Sequence, residues 1–233
     1  MGRPLRPVAD GLVYHALNRG NNRAQVFGDD GDFRAFLRAL AQTQTRYPFA
    51  LFGYALMTNH FHLLLRPEPG QSISRILQSL TVAHTWRYHR RHHSVGHVWQ
   101  GRFKSPVIQD DEHLLTVLRY VEANPRRAGM VQDLAAYPWS SYAYHGMGRP
   151  GPRLSELPDW ARLGASEGAR QARWREWVHT PLTERELAAV RRAVVTGRPF
   201  GSAGWVETMG RQLGLAFERR PRGRPRKRHE PEK

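Results

Sequence analysis

Two histidines and a tyrosine–asparagine pair are the residues whose types and spacing favour chemistry. His60 and His62 flank Phe61, and on a β-strand alternate side chains share a face, so the two imidazoles would lie side by side. Tyr120 and Asn124 are four residues apart, which places them on one helix face on successive turns. Imidazole nitrogens and an amide oxygen can bind a metal, and a hydroxyl beside a metal is a potential nucleophile. The pattern predicts a metal bound by His60, His62 and Asn124, next to the nucleophile Tyr120.

Each of these residues also has a purely structural interpretation. The two histidines could occupy the polar face of an alternating strand, and Tyr120 could be an amphipathic aromatic at the edge of a core. Asn124 precedes Pro125 and could simply end a helix. Five further histidines are irregularly spaced along an arginine-rich segment, and we interpret them as a solvated basic surface rather than a metal cluster: His84, His89, His92, His93 and His97.

Hydrophobic periodicity and turn residues place the histidine pair on a sheet. We predict strands at residues 8–18, 49–57, 60–66 and 97–108, and helices at residues 29–47, 72–92 and 112–124. The order strand, helix, strand, strand, helix, strand predicts an α+β fold, with an antiparallel sheet covered by helices on one face, as in ferredoxin-like proteins.

Three regions follow one another along the chain. The first domain is predicted to span residues 1–147, and the run Arg149-Pro150-Gly151-Pro152 marks its boundary. Residues 148–217 form a helical extension with helices at 183–195 and 202–213, which we interpret as a packing or docking unit. Residues 218–233 are basic, lack large apolar side chains and are predicted to be a disordered tail.

The overall charge indicates a polyanionic partner. The 233 residues carry a formal net charge of +16, and such a field attracts nucleic acid. Compositional drift towards arginine in a GC-rich genome is the alternative, but it does not explain the excess of 36 cations over 20 acids.

Two absences narrow the class of protein. There is no cysteine, so disulfides and thiolate metal sites are excluded. No segment approaches the roughly 20 apolar residues of a membrane span, and the N-terminus has no secretory apolar region. These features predict a cytoplasmic protein without a membrane partner.

Four segments carry a resemblance to a known family. They are YHALNRG at 14–20, GYALMTNHFHLL at 53–64, GHVWQGRFKS at 96–105 and YVEANPRRAGMV at 120–131. In this order they resemble the single-tyrosine transposases with a His-hydrophobic-His (HUH) motif, and within them the REP-associated group. The resemblance covers about residues 8–147.

The resemblance implies a fold, a reaction and a partner. It implies an RRM-like HUH nuclease core in which His60, His62 and Asn124 bind Mg²⁺ or Mn²⁺. Tyr120 would cleave single-stranded DNA, with a covalent 5′-phosphotyrosine and a free 3′-OH, on hairpin-containing REP-like substrates. The expected protein is a bacterial, nucleoid-associated transposase, monomer or homodimer, without a small-molecule substrate. A relaxase-like or replication-initiator-like nickase and a non-catalytic, domesticated DNA-binding protein remain as alternatives.

Three groups of residues are predicted to contact DNA. Cations interleaved with aromatic side chains suit a single strand, and this pattern includes Trp99, Arg102, Phe103 and Lys104. Arg19 and Arg23 follow the first strand. Arg222 and Arg224 lie in a tail segment similar to an AT-hook, although Gly-Arg-Pro also occurs at residues 2, 148 and 197, so the match can arise by chance.

Overall fold

The chain folds into a four-stranded antiparallel sheet with helices on both faces. The structure is a computed structural model and describes residues 11–151 and 153–215. The strands are β1 (Val13–Arg19), β2 (Phe49–Met57), β3 (His60–Pro67) and β4 (Val107–Ile108). The helices are α1 (Asp30–Arg46), α2 (Ile73–His92), α3 (Glu112–Glu122), α4 (Asn124–Arg127), α5 (Tyr142–Met147), α6 (Glu167–His179), α7 (Glu184–Thr196) and α8 (Ala203–Gln212).

The histidine pair lies on an inner strand. The strand order is β2-β3-β1-β4, which is the ferredoxin-like arrangement predicted from the element order. His62 is opposite Leu17 of β1 on one side and Ala55 of β2 on the other. Because β3 is hydrogen-bonded along both edges, the strand holds His60 and His62 rigidly.

Both faces of the sheet are buried, whereas the sequence predicted helices on one face only. Phe61, Leu63 and Leu65 pack in a core with α1 and α2. Leu64, between them, packs in a second core with α3. The reason lies in β3 itself, because its nearly continuous apolar run supplies buried residues to both faces, as in strands covered on two sides.

A glycine allows α3 to approach the sheet closely. A Cβ added at Gly53 of β2 would lie 2.2 Å from Leu118 Cδ1 and 3.0 Å from Ser141 Oγ, so a larger residue would force these side chains to move. Gly53 therefore leaves room on β2 for Leu118 of α3, the helix that carries Tyr120.

The predicted strand at residues 97–108 is mostly irregular, and only Val107–Ile108 forms β4. Two isolated bridges, Gly20 with Trp99 and Leu17 with Lys104, hold the rest of the segment along β1. Gly101 has a φ of 135°, and Pro106 has no amide hydrogen to donate, so a continuous ladder cannot form here.

The extension shares a core with the first domain. Trp160, Trp174 and Val190 pack in the same cluster as Leu118 of α3, so the predicted boundary at residue 148 does not divide this core. The sequence predicted α7 and α8; for α6 it indicated only that Trp174 and Trp177 have helical spacing. Within residues 11–151 and 153–215, no helix has the length and apolar character needed to cross a membrane. The predicted tail at 218–233, with Arg222 and Arg224, lies outside these residues.

Candidate active site

The structure brings the four residues of the predicted metal and nucleophile site to one cleft. The cleft has a volume of about 680 Å³, and His60, His62, Tyr120 and Asn124 all line it. The ring centroids of His60 and His62 are 5.0 Å apart, and those of His62 and Tyr120 are 6.0 Å apart. The histidines of β3 therefore face the tyrosine of α3 within one chain.

His62 is oriented by a third histidine, His15 of β1. The Nε2 atom of His15 lies 2.8 Å from Nδ1 of His62, and both side chains are buried. Burial lowers the pKa of His15 to about 3 and holds the pKa of His62 well below its usual value, with His15 and His60 contributing further. Both rings are therefore uncharged at neutral pH.

His60 is oriented by Asn59. Its Nδ1 atom donates to Asn59 Oδ1 at 2.6 Å, while the amide of Asn59 donates to the carbonyl of Arg23 at 3.2 Å. Burial, together with the charges of Arg19 and Arg127, lowers the pKa of His60 to about 4. Each imidazole thus engages a protein group through Nδ1, an arrangement that leaves Nε2 for a metal.

Asn124 offers an amide that is only partly satisfied. Its Oδ1 accepts a hydrogen bond from Arg127 at 2.5 Å, and an amide oxygen has a second lone pair. Its Nδ2 is buried and has no hydrogen-bond partner among the described residues. Asn124 begins α4 instead of ending α3, so its predicted role as a helix terminus does not account for its position in the cleft.

Arg127 holds the tyrosine as well as the asparagine. Its guanidinium carbon lies 4.2 Å from the centroid of the Tyr120 ring, a cation–π contact, and it donates to the Tyr120 carbonyl at 3.2 Å. Burial lowers the pKa of Arg127, and the charge of Arg191 acts in the same direction. Sequence reasoning did not select Arg127, although it follows Asn124 by three residues.

The lining of the cleft is strongly basic. Arg19, Arg102 and Lys104, which the sequence predicted as DNA contacts, line it together with Arg191 of α7, and none of the described lining residues is acidic. Arg23 is exposed but is not among these lining residues. A cleft lined by positive charges without negative ones attracts anions.

Two predicted DNA contacts, Trp99 and Phe103, also have packing roles. Trp99 packs against Phe61, with ring centroids 5.4 Å apart, and its Nε1 donates to Thr85 of α2 at 3.1 Å. Phe103 also packs against the first core. The irregular segment before β4 therefore packs these aromatic side chains against the core, where they contribute to the stability of the fold.

The other described histidines do not form a metal-binding cluster. Within the described ranges, no group of three or more His, Cys, Asp or Glu side chains could hold a metal. His84 was predicted to be solvated but is buried, and its Nε2 lies 2.9 Å from the Val26 carbonyl. Metal binding by the two histidines and the amide of the cleft stays a prediction.

The sequence of the chain matches the model of a known protein family. The model of the family described as "Transposase IS200 like" matches residues 8–124. The chain belongs to this transposase family. The match covers β1 to the start of α4 and includes His60, His62, Tyr120 and Asn124, so the family predicted from the motifs is confirmed.

Two similar proteins carry REP-associated names. A Haemophilus influenzae protein described as "Putative REP-associated tyrosine transposase" is 28% identical over 117 residues, which are 46% of this chain and 66% of that protein. The chain thus spans just under two thirds of that relative. A solved structure of a REP-associated tyrosine transposase bound to a REP hairpin superposes with a TM-score of 0.53 at 18% identity, covering 67% of this chain and 92% of the other. This superposition supports the α+β fold described above.

Proposed function

We propose that the chain cleaves and rejoins single-stranded DNA as a transposase of hairpin-containing, REP-like elements, with Tyr120 as the nucleophile. The observation that carries this proposal is the position of Tyr120, which faces His60 and His62 across a cleft lined by cations without an acidic residue. A hydroxyl nucleophile needs an electrophile in reach, and a basic cleft selects a phosphodiester. The hairpin bound by the structural relative supports the substrate class.

The reaction is a transesterification at phosphorus. The Tyr120 oxygen attacks the phosphorus atom and releases its proton, the bond to the 3′ oxygen breaks, and that oxygen takes up a proton to become a free 3′-OH. The 5′ phosphate remains on the tyrosine. Because one phosphodiester replaces another, the reverse attack by a 3′-OH can join a new strand without a nucleotide cofactor.

Residues of the chain fix the geometry of this attack. The cation–π contact of Arg127 restrains the Tyr120 ring, which reduces the entropy lost on reaching the attacking position. Arg19 and Lys104 line the same cleft and offer charges for the phosphates on either side of the scissile bond.

A divalent ion, Mg²⁺ or Mn²⁺, would be held by His60, His62 and Asn124 and would supply charge neutralisation at the phosphate oxygens. For His62 to present a lone pair at Nε2, its Nδ1 must carry the proton and donate it to His15. Asn59 imposes the same tautomer on His60. Because Arg127 already occupies one lone pair of Asn124 and adds positive charge, we expect tight metal binding only when a DNA phosphate is also present.

The test is a covalent adduct assay. Oligonucleotides that form imperfect hairpins, copied from DNA on either side of the gene, are incubated with the protein and Mn²⁺ and resolved under denaturing conditions. We expect an adduct with the wild type, none with EDTA and none with Tyr120→Phe. An adduct that persists in Tyr120→Phe would exclude Tyr120 as nucleophile. Metal-independent hairpin binding without an adduct would favour the domesticated DNA-binding alternative, and nicking without joining would favour the nickase.

The same assay tests whether one chain contains a complete site. The His62 and Tyr120 rings of one chain are 6.0 Å apart, which supports attack within a monomer or within each subunit of a dimer. We expect a mixture of Tyr120→Phe and His62→Ala chains to form no adduct. Restored adduct formation would instead indicate a dimer in which each tyrosine serves the partner's histidines.

A further inference from the structure

Helix α7 of the extension forms one side of the cleft. Arg191, Val194 and Val195 line it together with the histidines and Tyr120. The family model ends at residue 124, so α7 belongs to the part of the chain that this match does not explain. A wall contributed by the extension would change which DNA the cleft can hold.

The helix is attached firmly enough to serve as a wall. Thr183 and Glu186 form a reciprocal capping box at its start, which stabilises the first turn. Val190 is buried in the second core. On the facing helix, Arg119 of α3 donates to the carbonyls of Thr180 and Pro181 at 2.7 and 2.8 Å. These contacts fix the segment before α7 against the helix that carries Tyr120.

Three side chains of α7 share the face directed at the cleft. Positions 191, 194 and 195 are spaced i, i+3 and i+4, so they lie on adjacent turns of one side. Val195 is 73% exposed, so its apolar side chain is open to a ligand in the cleft. The neighbouring Arg192 does not line this cleft; it lines a separate depression next to Phe200.

Arg191 has no hydrogen-bond or ion-pair partner among the described residues. It differs in this from Arg119 of α3, which donates to two backbone carbonyls. Its charge instead adds to those of Arg19 and Lys104 in the same lining. Like charges gathered without an acidic partner repel one another unless an anion joins them.

We propose that α7 is a DNA-binding wall, in which Arg191 binds a phosphate of the single strand beside the scissile bond and Val194 and Val195 contact the adjoining sugar and base. This inference rests on the proposed function for the position of the scissile phosphate. Charge complementarity selects the occupant, because a polyanion with apolar bases matches both the cations and the valines.

The test compares two adjacent arginines in the full chain. Arg191→Ala and Arg192→Ala are each made in a Tyr120→Phe background, so that cleavage does not consume the probe. The probe is a fluorescent thymidine oligonucleotide of about 16 nucleotides, the upper site size of single-strand-binding modules. We expect Arg191→Ala to weaken binding about tenfold, as for one charged hydrogen bond, and to reduce the salt slope by about 0.7. Arg192→Ala should change binding less than about twofold, and Arg191→Lys should recover most of the loss.

The other outcomes overturn the proposal. Equal losses for Arg191→Ala and Arg192→Ala would indicate a diffuse electrostatic effect, and no loss for Arg191→Ala, or no binding of the probe by the Tyr120→Phe chain, would exclude the wall. Thermal melting checks that each variant is folded. The result is separable from the adduct assay, since a wild type that forms no adduct but shows the Arg191-specific loss would contradict the cleavage proposal and keep the wall.

Discussion

Two polar clusters lie on different sides of helix α3. The cleft cluster consists of Tyr120, Asn124 and Arg127 with His60 and His62. The buried cluster consists of Glu122 with Ser141, His145 and Trp174. Since residues 120 and 122 are about 200° apart around a helix, the same three turns serve an open cleft and a closed interior.

The buried cluster contains the residue types of a hydrolytic triad without its geometry. Ser141 donates to Glu122 Oε1 at 2.5 Å, and His145 Nδ1 lies 2.6 Å from the same oxygen. The serine is therefore bonded to the carboxyl group instead of the histidine, so it has no general base. A substrate could not reach these residues, because Glu122, Ser141 and His145 are at most 3% exposed.

The comparison separates polar groups used for stability from those used for chemistry. In the buried cluster both carboxyl oxygens of Glu122 accept hydrogen bonds, Oε2 from Trp174 of α6 at 2.8 Å, and His145 Nε2 lacks a partner among the described residues at a place closed to substrate. In the cleft cluster, Asn124 Nδ2 lacks such a partner in a residue that lines the open cleft. Groups that lack internal partners at an open cleft are available to a ligand.

The largest effect on stability is expected from Glu122→Ala. It leaves the buried donors of Trp174 and His145 without their acceptor, whereas Ser141 can still donate to the Tyr54 carbonyl at 3.2 Å. We expect a loss of about 4 kcal/mol in the free energy of unfolding. Urea denaturation measures it. Glu122→Gln keeps one acceptor oxygen and should lose clearly less. The amount of covalent adduct per folded molecule should remain close to that of the wild type. If this amount fell together with the free energy of unfolding, the two clusters would not be separate.

His15→Ala tests whether a residue outside the cleft lining contributes to the function of the cleft cluster. His15 does not line the cleft, but it fixes the ring of His62, and loss of such an orienting partner typically costs about 10–100-fold in metal affinity or activity. We expect the Mn²⁺ concentration for half-maximal adduct formation to rise by about this factor.

The matched control for His15→Ala is His145→Ala, which removes a buried histidine from the other cluster. It should lower the melting temperature and leave the Mn²⁺ dependence unchanged. If His145→Ala changed the Mn²⁺ dependence as strongly as His15→Ala, the two clusters would be coupled through α3.

The sequence identified the parts of the cleft cluster that depend on short spacing. His60 with His62 and Tyr120 with Asn124 each follow from a single periodicity, of two residues on a strand and of four on a helix. His15 and Arg191 were not predicted as site residues, because strand pairing brings His15 beside His62 and core packing brings Arg191 to the cleft, each from a distant position in the sequence. Arg127 follows Pro125 in a separate short helix, α4, which the predicted helix end at Asn124 did not include.

The errors in the fold have similar causes. The segment at 97–108 has the composition of a strand, yet Gly101 and Pro106, both visible in the sequence, interrupt its pairing with β1. The second covered face of the sheet depends on α3 and α6 packing together, and Leu118 and Trp174 of these helices belong to one core. No local pattern contains that information.

Acid should destabilise the fold through the histidines beside the cleft. The pKa of His60 is lowered to about 4 and that of His15 to about 3, so the unfolded chain binds more protons than the folded chain below about pH 6.5. The free energy of unfolding should therefore fall as the pH decreases from about 6.5 towards 4. Denaturation at several pH values measures the slope, which His15→Ala should reduce.

Tyr120→Phe is expected to have the smallest effect on stability and the largest effect on adduct formation. Tyr120→Phe removes one hydroxyl from a side chain that lines an open cleft, and the phenylalanine ring keeps the cation–π contact with Arg127. We expect the free energy of unfolding to change by less than about 0.5 kcal/mol, while the covalent adduct disappears. A loss of several kcal/mol would mean that the Tyr120 hydroxyl belongs to the internal hydrogen-bond network, as the carboxyl group of Glu122 does, and would remove the distinction between the two sides of α3.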